Sequence, residues 1–143
     1  MRMLGRHAVV TGGAGSLGLA AAGLLMAEGA KVVLADVDLE RARAAASRLD
    51  PEGSTVLAVA CDIADEDSNR NLIEAAEQFF QAPVDLFVAN AGVPCAGQIL
   101  ETPAERIRRT IDVNVTGSLL SAQAALRSLV KAQDGVLIFR SEE

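Results

Sequence analysis

Neither tyrosine nor tryptophan occurs in these 143 residues, and four phenylalanines are the whole aromatic complement. Proton transfer through a phenol is therefore excluded within this stretch. Cysteine is scarce too. Cys61 and Cys95 form no CxxC pair, so neither a disulfide framework nor a zinc site is expected, and no metal ligand set stands out. Positive charge is also in short supply. The 13 Lys and Arg against 19 Asp and Glu leave a net charge of -6, which excludes the basic footprint that nucleic acid or an anionic membrane requires. The longest apolar run, Leu17 to Ala27, is too short to span a bilayer. Arg2 and Arg6 precede that run, but a glycine-rich segment and an apolar strand intervene, as in no ordinary signal peptide. A cytoplasmic protein with reduced, structural thiols is expected.

What is abundant is apolar: 50% of the residues are hydrophobic and only 22% charged, which excludes disorder. The length suits one domain, residues 1–143, able to bury about two-thirds of the surface its unfolded form exposes. Short runs recur at Ala8–Val10, Val32–Ala35, Val56–Ala60, Val84–Val88 and Val136–Phe139. Apolar on both faces, they read as buried parallel strands rather than half-wet antiparallel ones. Stretches with helical spacing lie between them, at 16–28, 39–49, 66–81 and 104–132. Alternation of strand and helix predicts an α/β fold, a doubly wound parallel sheet with helices on both faces. Gly29 suits a helix C-cap, Asp38 an N-cap, Asp50-Pro51-Glu52-Gly53 a turn, and Thr102-Pro103 a cap followed by a first-turn proline. No repeat, low-complexity segment or linker is present.

Directly after the first strand comes Thr11-Gly12-Gly13-Ala14-Gly15-Ser16-Leu17-Gly18, then a helix. A phosphate-binding turn needs glycines because its backbone takes conformations a Cβ would block and its N–H groups must approach an anion at the helix N-terminus. Gly13-x-Gly15-x-x-Gly18 satisfies the generic dinucleotide fingerprint, which is weak alone. Its context is stronger, because Asp36 ends the second strand about 20 residues on, where a carboxylate accepts hydrogen bonds from both adenosine ribose hydroxyls and repels a 2′-phosphate. Asp38 is the alternative ribose ligand, and a plain glycine turn beside a surface Asp is the bland alternative. A methyltransferase reading is demoted because Thr11, not an acid, precedes the glycines. No basic residue lies in 12–18 or at Val37, so NAD is favoured over NADP.

With these pieces in place the chain resembles the short-chain dehydrogenase/reductase family, over its entire length, and the resemblance implies a Rossmann-type sheet of about five strands in the order 3-2-1-4-5. Thr11-Gly12…Gly18 is similar to the family's TGxxxGxG loop, except that Ser16 stands where the middle glycine usually is. Either Gly15 takes over by a one-residue shift or the loop approaches the pyrophosphate less closely. Cys61-Asp62-Ile63 resembles the Asp-hydrophobe pair that holds adenine in the family. Asn90-Ala91-Gly92 resembles the NNAG turn along the cofactor ribose, with Ala89 in place of the first Asn. Asp112-Val113-Asn114-Val115-Thr116-Gly117 resembles the segment carrying the family's active-site Asn, which sits at a helix distortion and joins a proton relay. The resemblance thus implies Asn114 as a catalytic residue. It implies Thr11, Gly12, Gly13, Gly15, Ser16, Leu17, Gly18, Asp36, Asp62, Ile63, Asn90, Ala91 and Gly92 as cofactor-binding. Taken singly, Asp62 also reads as a helix cap, Asn90 as a turn residue and Asn114 as an ordinary polar helix residue.

The implied reaction moves a hydride between nicotinamide and an alcohol or ketone, with a Tyr, a Lys four residues later and a Ser after the fifth strand. Only Arg140-Ser141-Glu142-Glu143 follow that strand here, Ser141 falls a few residues short of the serine position, and Tyr is absent. His7, Lys31 and Lys131 precede strands and so belong at the opposite edge of the sheet from a ligand. The chain therefore reads as a C-terminally truncated form, inactive alone by the family route, with a fifth strand left as an uncovered edge. The alternatives are a non-catalytic cofactor- or partner-binding module and an inert fragment. Family members commonly dimerise through the equivalent of the last helix, which implies a homo-oligomer.

Overall fold

Val, Leu and Ala at consecutive positions favour strands covered on both sides, and the five apolar runs assemble into one parallel sheet. A computed structural model describes residues 1–141; Glu142 and Glu143 of the charged tail lie outside the described residues. The strands are β1 His7–Thr11, β2 Lys31–Asp36, β3 Val56–Ala60, β4 Leu86–Ala89 and β5 Val136–Phe139. Their order is β3-β2-β1-β4-β5, the expected doubly wound arrangement. Every pairing is parallel, and Val9 of β1 stands beside Val33 of β2 and Phe87 of β4.

The pleat divides the core in two. Ala8, Val10, Val32 and Leu34 face helices α1 (Ser16–Ala27) and α2 (Leu39–Leu49), meeting Ala22 and Ala45 there. Val9, Val33 and Phe87 face the other way, toward Leu72 and Ala76 of α3 (Glu66–Phe80) and Ala125 and Leu129 of α5 (Ser118–Ala132). Each fully buried Val, Leu or Phe contributes about 1.5–3 kcal/mol relative to exposure. Small residues on the helices bring them close to the central strands.

The expected helix over 104–132 is divided. Helix α4 (Ala104–Ile111) runs into a π-helical segment, Asp112–Gly117, before α5 begins. At Gly117 a Cβ would meet the Ile63 side chain at 2.9 Å, so this widened turn sits directly on the loop after β3. Such segments often mark functional positions. Two boundaries differ from expectation. Pro103 (φ -60°, ψ 140°) flanks α4 instead of opening it, because its ψ is extended. Thr102 meanwhile donates its hydroxyl to the Gln98 carbonyl at 2.9 Å, closing a 3-10 turn over Ile99–Glu101. At the end of α1, Gly29 and Ala30 donate to the Met26 and Leu25 carbonyls, a Schellman closure.

Ser128 joins three elements that no sequence pattern links. Its buried hydroxyl donates to Glu77 Oε1 at 2.6 Å and accepts the Val84 N–H at 2.8 Å, tying α5 to α3 and to the approach to β4. At the sheet margin, Val136, Ile138 and Phe139 of β5 are 43%, 44% and 52% exposed, the uncovered edge that was expected.

Candidate active site

Parallel strands deliver their C-terminal ends to one edge, and a cleft of about 360 Å³ opens there. It is walled by Gly12 and Gly15–Gly18 of the glycine loop, by Asp36 and Val37, by Cys61–Ile63, by Asn90–Val93, by Arg109 of α4 and by Val113 of the π-helical segment. Strand order reverses between β1 and β4, so the cleft lies at the topological switch point, where ligands of open α/β sheets bind.

The loop is built around close approach. Gly12 has φ +64°, and a Cβ there would press on Ala91 Cα at 2.9 Å. A Cβ at Gly18 would strike the Gly12 carbonyl and lie 2.9 Å from Asn90 Nδ2. Gly15, with φ -75° and ψ 161°, caps α1 and donates its N–H to the Gly12 carbonyl at 3.1 Å. Gly15 rather than Ser16 therefore holds the turn, and Ser16 opens the helix. Helix α1 has no side-chain cap and no acidic residue in its first turn. By contrast, Asp38 caps α2 by accepting from Arg41 N–H, and Asp65 caps α3 by accepting from Ser68 N–H. The first-turn N–H groups of α1 thus point at the cleft with the positive end of the helix dipole behind them.

Asp36 is tied to that loop. Its Oδ2 accepts the Ala14 N–H at 3.1 Å and its Oδ1 the Asp38 N–H at 3.1 Å. A carboxylate has about four acceptor positions, so about two stay available toward the cleft. Asp62 accepts the Ala64 N–H at 3.0 Å and is exposed at the rim, while the helix cap nearby is Asp65. Ile63 is buried between the rim and Gly117.

Not every candidate reaches the surface of the cleft. Thr11 is buried beneath it, and Gly13 is buried against Leu34 with its N–H on the Ala35 carbonyl. Asn114 clamps the wall from outside: its Oδ1 accepts the Val93 N–H at 2.8 Å and its Nδ2 donates to the Val93 carbonyl at 2.9 Å. His7 stacks on Phe80 with ring centroids 4.9 Å apart, at the start of β1 and away from the cleft. Lys31 opens β2, and Lys131 of α5 pairs with Glu77 at 3.3 Å.

Sequence reading passed over three cations that line the cleft, Arg41, Arg109 and Arg140. Arg41 lies in the first turn of α2, beyond the Val37 position where a basic residue was sought. Cys61 also lines the cleft. Burial pushes its thiol up to about 11, so it is no nucleophile at neutral pH. Among the described residues no cluster of His, Cys, Asp and Glu suits a metal, and no helix is long and apolar enough to cross a membrane.

A family model described as short chain dehydrogenase matches residues 6–141. An uncharacterized oxidoreductase of Thermotoga maritima is 36% identical over 134 residues, covering 94% of this chain and 52% of that protein. L-rhamnose 1-dehydrogenase (NAD(P)(+)) of Azotobacter vinelandii is 35% identical over 133 residues, covering 90% and 52%. Among solved structures, NAD+-bound xylitol dehydrogenase superposes with a TM-score of 0.91 at 25% identity, covering 97% of this chain and 54% of that one. The chain spans about half the length of the curated relatives it matches.

Proposed function

The chain belongs to the short-chain dehydrogenase family, and from that premise we propose that residues 1–143 form one nucleotide-binding domain that cradles a nicotinamide dinucleotide. The residues present suit such a group. Gly12 and Gly18 leave space that a Cβ would fill, the uncapped start of α1 offers N–H donors to a pyrophosphate, and Asp36 offers acceptors to a ribose. When bound, the nicotinamide supplies a hydride acceptor or donor. Asp62 and Ile63 hold the adenine, Asn90–Gly92 line the ribose on the other side, and Asn114 keeps the Val93 wall in place.

The observation that carries this reading is the link between Asp36 Oδ2 and the Ala14 N–H. It joins the acceptor at the end of β2 to the donor-rich loop after β1. NAD is preferred over NADP because a 2′-phosphate would meet the Asp36 carboxylate, although Arg41 on the same wall moderates that preference. The Azotobacter relative carries both cofactors in its name, which fits a moderate preference.

The whole protein, we propose, transfers hydride between nicotinamide and a small alcohol or ketone. The 143 residues alone contain no Tyr, and His7, Lys31 and Lys131 lie away from the cleft. This polypeptide by itself therefore binds cofactor without turning over substrate by the family route. It works in the cytoplasm with both thiols free. Titration of the chain with NADH tests the reading through nicotinamide fluorescence. Saturable enhancement is expected, and an unchanged spectrum up to millimolar protein would reject it.

A homo-oligomer through the last helical stretch is favoured by one observation. Ile107, Ile111, Val115, Leu119, Leu126 and Val130 follow one another at near-helical spacing and are all exposed.

A further inference from the structure

The loop after β3 meets the cleft through Cys61, Asp62 and Ile63. We propose that Ser68 and Asn69 of α3, neither of which lines the cleft, are positioning residues that hold this loop so that it selects adenine over other bases. The inference rests on the nucleotide-binding reading above and adds the residues that set its base selectivity.

Asn69 stands where an apolar side chain would be expected. It is 1% exposed, on the face of α3 that also buries Leu72, Ile73 and Ala76. An amide there forgoes apolar burial and must be satisfied by hydrogen bonds. The loop supplies them. Asn69 Nδ2 donates to the Ile63 carbonyl and to the Asp65 carbonyl, both at 2.8 Å, and its Oδ1 accepts the Cys61 thiol at 3.8 Å. The Asp65 carbonyl also accepts the Asn69 main-chain N–H at 3.2 Å. The bond to the Ile63 carbonyl is therefore the one with no substitute. Ser68 holds the residue before, its Oγ accepting the Asp62 N–H at 3.0 Å. Gly117 closes the loop from behind, since a Cβ there would lie 3.1 Å from the Ile63 carbonyl carbon.

Held in this way, the loop leaves two groups over. The Cys61 N–H goes to the Asp36 carbonyl at 2.9 Å, and the Asp65 N–H to the Asp62 carbonyl at 3.0 Å. The Ala64 N–H goes to Asp62 Oδ1 at 3.0 Å. Among the described residues, the Ile63 N–H has no acceptor and Asp62 Oδ2 has no donor. Ile63 is 5% exposed, and a buried N–H without a partner is costly, so a ligand that supplies an acceptor completes the loop. An acceptor and a donor on consecutive residues match adenine, whose 6-amino group donates and whose N1 accepts. Hypoxanthine and guanine present the reverse, a carbonyl and an N1–H, and leave both groups of the loop unpaired.

NADH and its hypoxanthine counterpart differ only at that base edge, and nicotinamide fluorescence reads the binding of both. The wild-type chain should bind NADH about tenfold more tightly than the hypoxanthine form. Asn69→Leu, close in volume, should bring that ratio down to about two while leaving the affinity for the hypoxanthine form as it was. A merely structural role would weaken both forms by one factor. That result, or an unchanged ratio, overturns the proposal. Should Asn69→Leu fail to fold, Ser68→Ala decides. It frees the Asp62 N–H and should cut the ratio about threefold, and no change in the ratio overturns the proposal. A wild type that binds both forms equally also overturns it and leaves the glycine cradle standing. A wild type that binds neither form removes the nucleotide-binding reading itself, and this inference with it.

Discussion

The Thr11 hydroxyl and Asn90 bind each other's backbone across the switch point of the sheet. Thr11 Oγ1 accepts the Asn90 N–H at 3.0 Å, and Asn90 Nδ2 donates to the Thr11 carbonyl at 2.9 Å. The same hydroxyl accepts the Ala91 N–H at 3.0 Å and donates to the Val88 carbonyl at 3.3 Å. Neighbouring strands β1 and β4 are thereby held together at the floor of the cleft, where their own ladder has ended. Thr11 is a positioning residue, buried and out of a ligand's reach.

Thr11→Val keeps the volume and removes the hydroxyl, leaving the Ala91 N–H without its acceptor and the Asn90 N–H with the Val88 carbonyl alone. A loss of about 2–3 kcal/mol in unfolding free energy is expected, read from urea denaturation. NADH affinity should fall with it, since Asn90–Gly92 lose their anchor. A stability change below about 0.5 kcal/mol would mean water replaces the hydroxyl.

Asp36→Ala removes the proposed ribose acceptor and the repulsion of a 2′-phosphate together. NADH binding should weaken by about tenfold or more, while NADPH binding changes little or improves. Arg41→Ala should lower NADPH affinity alone. Fluorescence titrations with both cofactors measure the two ratios, and equal weakening of NADH and NADPH in Asp36→Ala would remove Asp36 from the ribose site.

Acid sensitivity should have one identifiable source in the turn after α2. The Asp50 carboxylate accepts N–H groups from Gly53, Thr55 and Val56 and the Thr55 hydroxyl. These bonds, the Thr55 N–H foremost, hold its pKa down to about 2. A carboxylate depressed in the folded state adds stability above its unfolded pKa, about 3.9, and that stability is lost as pH falls toward 2. Urea midpoints measured from pH 5 to pH 2 should decline less steeply in Asp50→Asn than in the wild type, from a lower starting value.

The two thiols should separate cleanly in alkylation. Cys95 is exposed and Cys61 is buried, with a thiol raised to about 11. At pH 8 only about one Cys61 in a thousand is a thiolate. Mass spectrometry after brief iodoacetamide treatment should find Cys95 modified and Cys61 intact until the chain is unfolded. Rapid labelling of Cys61 in the folded chain would show that the loop after β3 opens.

Much of this was legible in the residues themselves. The strands announce themselves because residues buried on both faces must be apolar at every position, and all five runs match within about two residues. The Asp38 cap and the Asp50 turn were equally visible, because a short acidic side chain bonds its own neighbouring N–H groups and needs nothing distant. The division of the last helix was not carried by its periodicity. A π turn adds one residue to a ring without changing which residues are apolar, and here it is fixed by Gly117 meeting Ile63 from another element.

The strand order came with the family resemblance, and local pattern was enough for the sheet, the glycine loop and Asp36 at the next strand end. Each depends on interactions within a few residues or on the handedness of parallel crossovers. Tertiary structure alone decided the rest. It showed that Thr11 and Asn114 brace walls rather than line the cleft, that Ser128 joins α3, α5 and β4, and that Arg41, Arg109 and Arg140 share the cleft with Asp36. Those relationships span up to about 100 residues of chain, and their energies depend on distance in space, which no periodicity along the chain encodes.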